Sequence, residues 1–134
     1  MPFTGNYVTN TYKNGLNTGS FNLGTGTTQV FKIALYTNSA SLDYSTTAYT
    51  TTGEVVASGY TAGGNTLTIS QVPTVGSSGT TSYYSFSNVS WTAALTARGA
   101  LVYDADSLAS ICVLDFGGDK TSTTTFTVQF PAVT

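Results

Sequence analysis

Apolar and polar positions alternate most cleanly at Phe31-Lys32-Ile33-Ala34-Leu35-Tyr36. There Phe31, Ile33 and Leu35 share one side of a period-two pattern, which predicts a half-buried strand over residues 29–37. A second period-two stretch, residues 66–72, puts Leu67 and Ile69 on one face, and Pro73, which has no amide to donate, is expected to end it. Residues 82–91 read as a strand interrupted at Ser87-Asn88: Tyr84 and Phe86 share a face before the break, Val89 and Trp91 after it. The last strand, over residues 124–130, carries Phe126, Val128 and Phe130 in register and closes at Pro131.

Two runs depart from simple alternation. Residues 96–103 and 110–116 are apolar on both faces, and the polar link Asp104-Ala105-Asp106-Ser107 between them carries turn chemistry. A strand apolar on both sides is covered on both. The pair therefore predicts a central β-hairpin, with Ile111, Val113 and Asp115 pointing one way and Cys112, Leu114 and Phe116 the other. Gly117-Gly118-Asp119-Lys120 reads as the tight connection that follows, and residues 54–57 as a short strand or bend. About seven strands with turns every eight to fifteen residues predict an all-β fold, a single antiparallel sandwich or jelly roll over residues 29–134, with a β-barrel as the alternative. Residues 1–28 are rich in Asn, Thr and Gly and predict an irregular N-terminal arm with a brief helix near 11–16. Residues 40–52 predict a long ordered loop, of the kind that carries function or is held by a partner.

Composition sharpens this picture. Among 134 residues only 7% are charged, against ~25% in an average soluble protein. The net charge is −2, and hydroxyl residues dominate the polar positions. Such a skin gives weak colloidal protection and suits a chain packed against others. The four cations, Lys13, Lys32, Arg98 and Lys120, are scattered, so no nucleic-acid partner is expected. No apolar run approaches the ~20 residues of a membrane span, and the first residues lack the pattern of a signal peptide, so synthesis and retention in a cytoplasm are expected.

The string 31–37, then Thr47-Ala48-Tyr49-Thr50, Glu54-Val55 and Gly59-Tyr60-Thr61-Ala62-Gly63-Gly64, resembles a family of small bacteriophage proteins. The likeness continues through Trp91, residues 97–103, Val113-Leu114-Asp115-Phe116-Gly117, Asp119-Lys120 and Phe126. It covers residues 29–131 in order, with a weaker echo at 12–16. It implies a virion structural component, assembled in the host bacterial cytoplasm: a head decoration (cement) protein, or a tail or collar part. The partners it implies are the major capsid protein and copies of the chain itself, as a homo-oligomer such as a trimer.

Chemistry is sparse. The chain has no histidine, so neither a Ser-His-Asp nor a Cys-His arrangement exists, and no enzyme, cofactor or metal is expected. Asp104 and Asp106, with Asp115 or Asp119, are the one set that suggests a hard cation, and a solvated turn capped by aspartates accounts for them better. Gly59 to Gly64 lacks the lysine and helix of a phosphate loop and reads as a turn. Cys112 reads as a small core residue. Arg98, the sole arginine, sits in an apolar strand and is expected to pair with Glu54, the sole glutamate, or with Asp115. Phe3, Tyr7, Tyr12, Tyr36, Tyr44, Tyr49 and Tyr60 are the expected subunit contacts, because aromatics contribute disproportionately at interfaces. The competing expectation is a carbohydrate- or receptor-binding module in which Tyr44, Tyr49, Tyr60 and Trp91 stack on sugar rings.

Overall fold

In the computed structural model, which describes residues 3–131, the chain runs β1 (Tyr7–Val8), α1 (Asn10–Thr18), β2 (Phe31–Tyr36), β3 (Asn65–Leu67), β4 (Ile69–Val75), β5 (Ser82–Phe86), β6 (Val89–Trp91), β7 (Thr96–Asp104), β8 (Ser110–Thr121) and β9 (Phe126–Val128). All pairing is antiparallel. One open five-stranded sheet has the order β1-β8-β7-β2-β3, and β4–β5 and β6–β9 form two further ribbons. The β7–β8 hairpin lies at the middle of the large sheet, as its doubly apolar pattern requires.

Each face of that sheet has its own core. Phe31, Ile33, Leu35, Ala100 and Val102 pack with Phe86, Val89, Trp91, Phe126 and Val128 from the two ribbons, and with Tyr12 of α1. The opposite sides of the same strands, Ala34, Tyr36, Leu101, Tyr103 and Val113, pack with Phe3, Ala40 and Leu42. The N-terminal segment and the 37–64 loop thus supply what covers the second face.

Three local expectations are corrected. Val102 stands opposite Cys112 but Tyr103 opposite Ser110, so Ile111 is an extra residue in a bulge. The bulge turns Ile111 to the ribbon side, where Cys112, Leu114 and Phe116 also pack, and leaves Val113 on the other face. Residues 117–120 are not a connection. They lie within β8, where the register steps from Gly99↔Asp115 to Ala97↔Lys120. The chain turns instead at 122–125, where the Ser122 amide donates to the Leu95 carbonyl at 2.9 Å. Pro73 sits inside β4, at the register shift between Gln71↔Ser85 and Thr74↔Tyr83. The missing amide falls where the ladder is already interrupted.

Helix α1 is longer than its internal Gly15, the nearby Gly19 and its turn-rich surroundings suggest. The Thr9 hydroxyl accepts from the Tyr12 amide at 3.2 Å as N-cap, and Gly19 closes the helix in a left-handed conformation. Gly15 is tolerated because the Phe21 ring occupies the space a side chain would need: a Cβ there would meet Phe21 Cε2 at 2.3 Å. Thr9 also fastens the helix to the sheet, its amide donating to the Ile111 carbonyl at 3.0 Å. No helix among the described residues is long and apolar enough to cross a membrane.

Candidate functional site

The chain's polar chemistry converges on Glu54. Its backbone bridges Tyr36 at the end of β2, and its side chain points inward with the residue 7% exposed. A carboxylate there requires donors. Tyr49 donates its hydroxyl to Oε2 at 2.6 Å, while the Tyr60 hydroxyl and the Gly63 amide both donate to Oε1 at 2.7 Å. A second ring of bonds holds those donors. The Tyr60 oxygen accepts from the Leu35 amide at 2.8 Å, Tyr103 donates to the Gly63 carbonyl at 2.7 Å, and Tyr36 donates to the Thr50 carbonyl at 2.7 Å. The Tyr49 ring stacks on Tyr103 with centroids 4.8 Å apart. One carboxylate therefore pins residues 49, 60 and 63 of a long connection onto β2 and β7.

Burial pushes the phenols of Tyr36, Tyr49 and Tyr60 well above their usual range, and the Glu54 carboxylate beside them adds to it. Tyr103 is pushed up to about 12 by burial and then Glu54, and burial also raises Tyr84. For groups whose folded value is raised, stability is complete below the unfolded value near 10 and is lost as pH climbs through the folded values. Alkaline titration followed by phenolate absorbance is expected to show these five tyrosines ionising only together with loss of near-UV circular dichroism. Ionisation of all nine tyrosines near pH 10 with the fold intact would overturn this.

Arg98 pairs with Asp115 across the β7–β8 hairpin, and its guanidinium carbon lies 5.6 Å from the centre of the Phe3 ring. The alternative partner, Glu54, is out of reach for a topological reason: β2 lies between them, with Tyr36 opposite Gly99 of β7 on one side and Glu54 on the other. Burial raises the Asp115 carboxyl, but the Gly117 amide and the Arg98 guanidinium outweigh that and hold it below its ordinary 3.8. A depressed carboxyl stabilises the fold above its unfolded value and ceases to do so as pH falls through the folded one. Arg98→Ala is expected to cost about 1–3 kcal/mol at neutral pH. In urea titrations the gap between wild type and variant should narrow below about pH 4, and a gap that stays constant with pH would refute the pairing's role.

The seven aromatic residues expected at a subunit contact separate into three groups. Phe3, Tyr12, Tyr36 and Tyr60 are buried in the chain's own core. Tyr49 is half-buried against Tyr103 and Glu54. Tyr7 and Tyr44 reach the surface, where their rings meet edge to face at 5.7 Å and Tyr44 is 52% exposed. For the same reason the sugar-stacking set does not assemble, since Tyr60 and Trp91 are interior. The Trp91 Nε1 is buried without a hydrogen-bond partner.

Among the described residues no group of three or more His, Cys, Asp or Glu is placed to hold a metal. Asp104 accepts the Asp106 amide at 2.9 Å within its own turn, and Asp115 is taken by Arg98. Desolvation pushes the Cys112 thiol up to about 12, so the thiolate is disfavoured. Tyr103 and Gly63, essential to the Glu54 cluster, carry no distinguishing sequence signal of their own. No protein-family model, curated protein or solved structure matches the chain.

Proposed function

We propose that the chain is a bacteriophage virion structural protein, a capsid decoration (cement) protein that stabilises contacts between major capsid subunits and acts by shape. The observation that carries this reading is where the reactive-looking side chains go. Both oxygens of Glu54 accept bonds from the fold, Asp115 is held by Arg98, and Cys112 sits in the sheet with its thiol disfavoured as a nucleophile. Polar chemistry of this kind fixes a rigid body, and a rigid, nearly uncharged body suits a seam between subunits. The likeness of residues 29–131 to small phage proteins points the same way.

On this reading the domain is an antiparallel sandwich of jelly-roll type, the five-stranded sheet forming one layer and the β4–β5 and β6–β9 ribbons the other. Copies of the chain associate as a homo-oligomer, such as a trimer, at positions where shell subunits meet. Because it binds the assembled shell and not free subunits, it shifts the equilibrium toward the shell. Quantitative mass spectrometry of purified particles tests this. On the order of hundreds of copies per particle are expected for a shell component of a symmetric capsid. A dozen or fewer would place the chain on the tail or collar, and none would end the virion reading.

A further inference from the structure

Exposed apolar side chains are not spread evenly. Of the seven large ones among the described residues, Val8, Val30, Tyr44 and Leu108 belong to one end of the molecule. Backbone bonds tie that end together: Asn10 donates to the Tyr44 carbonyl at 2.9 Å, Ala105 to Val30 at 2.8 Å, and Tyr49 to Leu108 at 2.9 Å. Leu108 is 44% exposed and also the one non-glycine residue with positive φ among those described, at 66°. A leucine there gives up roughly 1–2 kcal/mol of backbone comfort, with nearly half of the residue left in solvent.

The same end is acidic. Asp43 and Asp106 lie on its loops, and Asp104 lines a cleft of about 510 Å³ with Thr11, Gln29, Asp106 and Ser107. Asp104 is 2% exposed, yet none of the described cations pairs with it: the sole ion pair among the described residues is Arg98–Asp115. Lys32 turns its Nζ toward Gly63, Arg98 is taken by Asp115, and the cation carried by this end is Lys13, exposed on α1. Three aspartates against the single Lys13 leave this face net negative, so two copies meeting through it would repel, and a cationic partner complements it better than a second copy.

We infer that this end, formed by the β7–β8 turn, residues 43–49 and the start of α1, is the contact face for a different polypeptide. The partner's surface is apolar and projects a lysine or arginine into the Asp104 cleft. This inference rests on the virion reading and specifies the shell side of the contact. Carbodiimide cross-linking of purified particles, which joins a carboxylate directly to an amine, tests it. Expected are links from Asp106 or Asp43 to a lysine of another polypeptide. Links only to Lys13 of a second copy, or none from these aspartates although the chain is present, overturn the inference and leave the virion reading standing. Particles lacking the chain overturn both.

Two variants provide an independent readout. Leu108→Asn removes the apolar contact while suiting the left-handed backbone, and Asp104→Asn keeps the acceptor for the Asp106 amide while removing the charge. Both are expected to melt no lower than wild type but to occupy particles at least tenfold less, with the Asp104→Asn deficit vanishing at high salt. Full occupancy by both variants would overturn the inference.

Discussion

Glu54→Ala is expected to lower stability by about 3–5 kcal/mol, the largest loss from any single polar truncation in this chain. The substitution leaves the Tyr49 and Tyr60 hydroxyls and the Gly63 amide without their acceptor, in a site where the residue itself is 7% exposed. Water can reach only the Tyr49 side, because Tyr60 is buried against Trp91 and its oxygen already accepts from Leu35. Glu54→Gln is expected to cost less, about 1–3 kcal/mol, since the amide keeps one acceptor but presents a donor to a donor. Tyr49→Phe should cost the least of the three, as a single bond at a half-buried position. Urea denaturation of the three variants checks the order. Equal effects of Ala and Gln would mean that the carboxylate is not organising its neighbours. A loss under 1 kcal/mol for Glu54→Ala would mean that the loop is held by its backbone bonds alone.

That cluster also shows what a sequence can and cannot convey. The strand at β2 is legible because Phe31, Ile33 and Leu35 repeat with period two, and side chains on a pleated strand have no other way to share a face. The central hairpin is legible because two doubly apolar runs flank a turn. Its register is not: when both faces are apolar, slipping one residue at Ile111 costs no polar burial, so the pattern is silent about the bulge. Tyrosine is ambiguous for a related reason. Its ring suits a core and its hydroxyl suits an interface, and only the placement of Glu54 gives the Tyr49 and Tyr60 hydroxyls an acceptor inside the fold. Glu54 and Arg98 are each conspicuous as the sole residue of their type. Which carboxylate Arg98 meets depends on β2 lying between it and Glu54, which is a property of strand order and not of spacing. Gly15 in α1 likewise becomes intelligible only once Phe21 is seen to fill its side.

Gly64→Ala should approach the Glu54→Ala loss, costing about 3 kcal/mol or more, through sterics alone. Gly64 follows the Gly63 amide that caps Glu54 and precedes β3, so it sets how closely the connection returns to β2. A Cβ there would stand 1.8 Å from the Ile33 carbonyl oxygen and 2.8 Å from the Ala34 Cα. These are backbone atoms of a central strand and cannot rotate aside. The molecule supplies its own control. Gly19 has the same φ of 74° at the end of α1, but a Cβ there meets nothing within 4 Å. Gly19→Ala therefore measures the left-handed backbone penalty by itself, about 1 kcal/mol. The excess for Gly64→Ala measures how rigidly β2 holds its neighbour. If thermal or urea denaturation gave both variants the same small loss, β2 would have to yield by more than an ångström without cost. The close packing that positions Gly63 for Glu54 would then not be what holds the 37–64 loop in place.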